Sequence, residues 1–92
     1  MSIQHDSAAH HFTTRQDGHT GELAYELPAS GVIDFVHTFV DGALRGQGVA
    51  NELARAGLAY ARQEHLKVRT SCEFMAAFVG QHRAEYADIL AS

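Results

Sequence analysis

The 92-residue sequence contains one cysteine, one proline and no tryptophan. A single cysteine cannot close an internal disulfide, which favours a reducing compartment such as the cytoplasm. No apolar run approaches the roughly 20 residues that a membrane-spanning helix needs, and no signal peptide is visible. Seven basic residues against eleven acidic ones give a net charge of -4, which argues against nucleic acid as a partner.

What is present is ordinary globular composition, with 46% hydrophobic and 20% charged residues. The polar residues 1–10 predict a flexible N-terminus, and residues 11–92 are long enough for one domain with a modest core. The histidines among the first nineteen residues do not have the spacing of a known metal site. We therefore predict no metal.

Three strands are predicted before the first helix. Phe12–Gln16 is short and bears threonines, and Glu22–Leu27 alternates between apolar and polar residues. Val32–Val40 is rich in β-branched and aromatic residues and is apolar at both parities. That pattern favours a central strand that is covered on both faces.

An alanine-rich segment after these strands predicts an amphipathic helix. Its small and apolar residues recur at helical spacing: Ala50, Leu53, Ala54, Gly57, Leu58 and Ala61. Glycine in a helix interior costs roughly 1 kcal/mol against alanine, so we interpret Gly57 as a point of close packing on the sheet. Lys67–Thr70 then predicts a parallel strand, reached by a right-handed crossover.

The remaining residues predict a second helix, with Ser71 as its cap, and a short last helix over Glu85–Leu90. The predicted order is strand, strand, strand, helix, strand, helix, helix. The fold class is a single-domain α+β or α/β fold with a mixed antiparallel and parallel sheet of four to five strands.

A glycine-bearing turn, Arg45-Gly46-Gln47-Gly48-Val49-Ala50, stands directly before the first helix. The free N–H groups of a first helical turn favour an anion, most often a phosphate, and Arg45 adds a positive charge. The turn lacks the lysine of the Walker pattern and the third glycine of the Rossmann pattern. It predicts a phosphate-bearing ligand, with a plain tight turn as the alternative.

The same segment matches the (Gln/Arg)-x-x-Gly-x-(Gly/Ala) motif of the GNAT N-acetyltransferase superfamily, and the chain from about residue 22 to 90 resembles its smallest branch. Further segments carry the resemblance: His37–Val40, Glu52-Leu53, Cys72-Glu73-Phe74, His82 and Glu85-Tyr86. It departs from the small branch after His82, where Arg83 stands in place of a proline. The resemblance implies acetyl-CoA as the cofactor and an unidentified amine as the acceptor.

The resemblance also implies where coenzyme A is held. The strand edge at Phe39 and Val40 would hydrogen-bond the pantetheine arm, and the backbone amides of the turn would hold the pyrophosphate. The implied turn residues are Arg45, Gly46, Gln47, Gly48, Val49 and Ala50. The acetyl group would pass directly to the amine.

Two residues are candidates for catalysis. Cys72 falls in the first turn of the second helix, where the thiolate is favoured, and it could act as nucleophile, general acid or wall of the site. His37, close to the glycine turn, could act as general base for the amine. The alternatives are a small buried cysteine and a hydrogen-bonded core histidine.

Three functions therefore stand open at this point. The first is an acetyl-CoA-dependent N-acetyltransferase. The second is a module that binds acyl-CoA or coenzyme A without turnover, which the small size favours. The third is a Cys72–His37 thioesterase or acyl carrier with a covalent intermediate. Neither the acceptor nor the oligomeric state follows from the sequence.

Overall fold

The computed structural model describes residues 2–91 and contains one five-stranded sheet in the order β1-β2-β3-β4-β5. The strands are β1 Ile3–Asp6, β2 His11–Gln16, β3 His19–Ala29, β4 Val32–Val40 and β5 Lys67–Thr70. The helices are α1 Val49–Gln63, α2 Glu73–Gln81 and α3 Arg83–Tyr86, with 3-10 turns at Gly42–Leu44 and Ala87–Ile89. β1 to β4 pair antiparallel and β5 lies parallel to β4. The predicted mixed sheet and α+β fold are confirmed.

The N-terminal segment differs from its prediction. A strand, β1, lies where the polar composition predicted a loose terminus, and it pairs with β2 in antiparallel register. The ring of His5 stacks on Phe12 with centroids 4.2 Å apart, and its Nε2 lies 2.7 Å from the Tyr25 hydroxyl. Because these contacts join residues distant in sequence, local composition does not reveal the strand.

The central strand β4 is covered by helices on one face, so the prediction of two covered faces is wrong. Ile33 and Phe35 are fully buried, whereas His37 is exposed and Phe39 is 49% exposed. The register with β3 pairs Tyr25 with Phe35 but Ala24 with His37, which leaves Val36 as an extra residue in a bulge. The bulge reverses the side-chain alternation, and this reversal produces an apolar pattern at both parities.

Helix α1 lies against the buried face of the sheet and confirms the interpretation of Gly57. A Cβ added at Gly57 would lie 2.8 Å from Cε1 of Phe35 and 2.9 Å from Cδ2 of Leu23. Both of those side chains are fully buried. The helix can therefore approach the sheet this closely only with glycine at this position.

The C-terminal segment is held against α1 by two arginines. Arg55 donates to Oε2 of Glu85 at 3.0 Å, while Arg62 pairs with the Asp88 carboxylate and donates to the Glu85 carbonyl at 2.9 Å. The single last helix predicted from sequence is divided into α3 and a 3-10 turn. None of the helices in residues 2–91 combines the length and apolar character that a membrane span requires.

The junction between β5 and α2 is also built differently from its prediction. Ser71 does not cap α2, because its N–H and its hydroxyl donate to the two carboxylate oxygens of Asp34, at 3.0 Å and 2.7 Å. The residue at the N-cap position is Cys72. Asp34 thereby ties the start of the α2 segment to β4, next to the end of the β4–β5 pairing.

Candidate functional site

One edge of β4 is left open beyond Phe35. The β4–β5 ladder ends at the pair Phe35 and Thr70, and the Cys72 N–H then donates to the Phe35 carbonyl at 2.9 Å. From there the chain turns into α2, so β5 does not cover the last residues of β4. The bulge and the end of this ladder fall within two residues of each other.

The hydrogen-bonding pattern of β4 shows which backbone groups face this open edge. The Asp41 N–H donates to the Thr20 carbonyl at 2.9 Å, which directs the Asp41 N–H toward β3. Because alternate residues of an antiparallel strand bond to the same neighbouring strand, the backbone N–H and C=O groups of Phe39 also point toward β3. The N–H and C=O groups of Thr38 and Val40 therefore face the open edge. The sequence prediction had assigned this edge to Phe39 and Val40.

The glycine turn leaves an open space above the start of α1. Gly46 and Gly48 have φ values of +80° and +77°, and a Cβ on either would meet no atom within 4 Å. The first α1 hydrogen bond runs from the Glu52 N–H to the Gly48 carbonyl at 3.0 Å. The N–H groups before Glu52 in the first turn of α1 have no helical carbonyl to donate to, and Gly48 has no side chain that could cap them.

Side chains fix the entry to this turn. The Asp41 carboxylate accepts a hydrogen bond from the Ala43 N–H at 3.0 Å, and Nε2 of Gln47 donates to the Ala43 carbonyl at 3.2 Å. The pKa of Asp41 lies below its usual value. The main cause is the hydrogen bond from the Ala43 N–H, and the second is His19, whose Nδ1 lies 3.3 Å from Oδ2 of Asp41. Gln47 thus supports the turn with its side chain, whereas its predicted role was to bind a ligand through its backbone.

The open edge and the glycine turn line one groove of about 500 Å³. Its lining residues are Thr38, Val40, Leu44, Arg45, Gly46, Gly48, Val49, Ala50, Asn51 and Phe74. The groove therefore includes six of the eight residues predicted to bind the cofactor. Backbone donors, a guanidinium group and glycines without obstructing side chains form a donor set that fits a pyrophosphate.

Cys72, at the N-cap of α2, contacts the groove through Thr38. Its Sγ is 3.1 Å from Oγ1 of Thr38, and its side chain is half-buried. Thr38 belongs to the His37–Val40 segment that carries the family resemblance, but it was not among the residues predicted to bind the cofactor or to act in catalysis; a polar residue in an apolar strand was the available signal. Asn51 and Phe74 were also missed, since only the fold brings their side chains to the groove.

His37 and Phe39 lie on the other side of β4. Their side chains alternate with that of Thr38, and both line a separate depression on the helix-free face of the sheet. Cys72, by contrast, contacts Thr38 on the helix side. The structure therefore does not bring Cys72 and His37 together as a catalytic pair, and their individual roles remain predictions.

Several known proteins resemble this chain. Residues 11–89 match a family model described as GCN5-related N-acetyl-transferase. Protein NATD1 of Homo sapiens is 33% identical over 84 residues, covering 89% of this chain and 74% of that protein. Protein NATD1 of Gallus gallus is 32% identical over 84 residues, covering 89% and 76%.

The fold has a counterpart of known structure. The solution NMR structure of a GCN5-like candidate N-acetyltransferase from Staphylococcus aureus superposes with a TM-score of 0.77 and 26% identity, and the match covers 99% of this chain and 88% of that one. The family model spans most of the chain, including the glycine turn, the open edge and Cys72. The chain belongs to the GCN5-related N-acetyltransferase family.

Proposed function

We propose that the protein is an N-acetyltransferase that binds acetyl-CoA in the groove and passes the acetyl group to an amine. The observation that carries this proposal is the continuity of one groove from the open edge of β4 to the uncapped start of α1. An extended ligand arm can bind to the unpaired backbone N–H and C=O groups of a strand edge, and a phosphate can bind to the free N–H groups at the start of a helix. The groove supplies both at opposite ends.

Each part of the groove has a separate binding role in this proposal. The N–H groups of Val49 and Ala50, with the guanidinium of Arg45, hold the pyrophosphate. The backbone groups of Thr38 and Val40 pair with the amide groups of the pantetheine arm as an added strand would. This arrangement directs the thioester along β4 toward Thr38 and Cys72.

Acetyl transfer requires a proton acceptor and a proton donor besides the thioester that the coenzyme supplies. The amine nitrogen attacks the thioester carbon, so that a C–N bond forms and the C–S bond breaks. We assign His37, on the exposed side of β4, to take the proton that the amine loses. Cys72 protonates the departing sulfur, and solvent then restores the thiol.

Calorimetric titration with acetyl-CoA tests the site, with coenzyme A and ATP as comparison ligands. Acetyl-CoA and coenzyme A should bind and ATP should not. Gly48→Glu should abolish binding, because the new carboxylate would occupy the open space and repel the pyrophosphate. Gly31→Glu is the matched control, since Gly31 has the same φ of +77° and equally open space, but lies in the β3–β4 turn.

Arg45→Ala should weaken binding and reduce its salt dependence, because a charge partner of the phosphates is lost. If Gly48→Glu and Gly31→Glu bind acetyl-CoA equally well while both are folded, the groove is not the coenzyme site. Binding of neither acetyl-CoA nor coenzyme A by the unmodified protein would refute the proposal as a whole.

A covalent route is the second candidate, and the observation that favours it is the half-buried thiol of Cys72 in contact with the groove residue Thr38. Here the thiolate attacks the thioester carbon, releases coenzyme A and carries the acetyl group itself. Intact-protein mass spectrometry after mixing with acetyl-CoA distinguishes the two routes. An acetyl adduct that is absent in Cys72→Ala supports the covalent route, and its absence in the unmodified protein supports direct transfer.

A further inference from the structure

The face of the sheet opposite the helices contains a depression of about 440 Å³. Its lining includes side chains of different chemistry from four adjacent strands: Gln4, Thr13, Arg15, Glu22, His37 and Phe39. His37 and Phe39 belong to the same strand whose opposite side, through Thr38 and Val40, lines the groove. One strand, β4, therefore separates the two cavities and supplies residues to both.

The sheet register gives the order of these groups across the depression. Glu22 lies opposite Phe39, and Thr13 lies opposite Glu22 on the next strand. Arg15 is two residues further along β2, opposite Thr20. The depression thus has an aromatic ring and a carboxylate near β4 and a guanidinium group at its far side.

The guanidinium of Arg15 is available to a ligand. Among residues 2–91, Arg15 forms no ion pair with a carboxylate, whereas Glu22 already has His11 Nδ1 within 3.6 Å of its Oε1. An exposed arginine fork without a protein partner fits a planar carboxylate by two parallel hydrogen bonds. With Glu22 close by, a singly charged carboxylate suits the depression better than a doubly charged phosphate.

The separation of these groups sets the length of the ligand. β2 and β4 are two strand spacings apart, roughly 10 Å between backbones. A molecule that reaches from Arg15 to the His37 and Phe39 end therefore needs several bonds between its anionic and its reacting group. The exposed ring of Phe39 gives the spacer an apolar surface.

We propose that this depression is the acceptor site and that it selects amines whose carboxylate is several bonds away from the nitrogen. The inference rests on the proposed acetyl transfer and names its acceptor class. Arg15 binds the carboxylate, Phe39 contacts the spacer, and Glu22 attracts the ammonium group. His37 takes the proton once the amine reaches the open edge of β4.

A series of three acceptors tests the class under saturating acetyl-CoA. 6-Aminohexanoate has the required length, hexylamine lacks the carboxylate, and glycine carries both groups on one carbon. We expect kcat/KM for 6-aminohexanoate to exceed that for the other two by roughly tenfold to a hundredfold, as for a charged hydrogen-bonded pair. Equal rates for 6-aminohexanoate and hexylamine would overturn the proposal.

Arg15→Ala assigns the selectivity to one residue. It should lower kcat/KM for 6-aminohexanoate to about that for hexylamine, and so remove the preference between the two. Arg69→Ala is the matched control, because Arg69 is also an exposed strand arginine but lies on β5, outside the depression. A preference that survives Arg15→Ala, or disappears equally in Arg69→Ala, would contradict the assignment.

A binding measurement without acetyl-CoA separates this inference from the proposed function. Titration of the isotope-labelled protein with 6-aminohexanoate should shift the backbone amide resonances of Thr13, Arg15 and Glu22, and Arg15→Ala should abolish the shifts. If these shifts occur but the protein does not bind acetyl-CoA, the ligand site in the depression is supported and the proposed transferase function is refuted. Acetyl-CoA binding without these shifts would retain the groove and refute the acceptor site.

Discussion

Gly57→Ala tests the packing that places α1, and therefore the start of the groove, on the sheet. The added methyl group would lie 2.8 Å from a Phe35 ring carbon and 2.9 Å from a Leu23 methyl carbon, and both residues are fully buried. Neither side chain can move into solvent, so the helix must move. Overpacking of this kind costs about 1–3 kcal/mol, against a gain of about 1 kcal/mol in helix propensity.

The expected net result is a loss of roughly 0–2 kcal/mol in the free energy of unfolding, and of roughly 1–3 kcal/mol relative to a helical glycine-to-alanine change that meets no neighbour. For a domain of this size, each 1 kcal/mol lowers Tm by about 4–8 °C. Urea denaturation followed by circular dichroism measures the loss. Because displacement of α1 also displaces Val49 and Ala50, Gly57→Ala should in addition weaken acetyl-CoA binding.

Gly80→Ala is the matched control, since Gly80 is also helical but has no atom within 4 Å of an added Cβ. It should leave stability unchanged or raise it by up to about 1 kcal/mol through helix propensity. If Gly57→Ala is at least as stable as Gly80→Ala, the helix does not need glycine to approach the sheet. That result would refute the packing explanation.

Two further predictions concern titrating groups. Asp41→Ala should weaken acetyl-CoA binding, because the carboxylate fixes the 3-10 turn before the glycines. Since the pKa of Asp41 is lowered in the folded protein, the contribution of its carboxylate to stability should be lost as pH falls below about 4. Partial desolvation lowers the pKa of His5 below its usual value of 6.5, so the folded protein binds fewer protons and should lose stability as pH falls below 6.5. Urea midpoints between pH 5 and 8 measure this, and His5→Phe, which keeps a stacking ring without the titration, should flatten the profile; an unchanged profile would contradict the role of His5.

The sequence predicted most accurately the elements whose signals are local. The stripe through Leu53 and Gly57 predicted α1, because its pattern repeats within one element. The parallel strand over Lys67–Thr70 was also predicted correctly, from its place after that helix and the right-handed crossover rule. The glycine turn was also predicted correctly, since Gly46 and Gly48 both adopt the positive φ that glycine favours. These local signals were sufficient for the order of the elements from the second strand onward.

The sequence could not predict features that depend on contacts between distant residues. β1 is short and polar, and it is held by the stacking of His5 on Phe12, by the edge-to-face contact of His5 with Tyr60 and by its pairing with β2. The position of His37 relative to Cys72 depends on which face of β4 His37 occupies. That face depends in turn on the bulge, which the sequence does not reveal because Val36 is β-branched like an ordinary strand residue.

The bulge at Val36 accounts for how one short strand lines two cavities. Before it, Ile33 and Phe35 fill the core beneath α1; after it, Thr38 and Val40 take the helix side, while His37 and Phe39 face the opposite side. In a regular strand of the same sequence, without the bulge, the alternation would turn His37 and Phe39 toward α1 and Thr38 away from Cys72. The bulge thus places the contact between Thr38 and Cys72 on the groove side and the exposed side chains of His37 and Phe39 on the other side. In a chain of 92 residues, this lets a single strand supply side chains to both the proposed coenzyme groove and the proposed acceptor site.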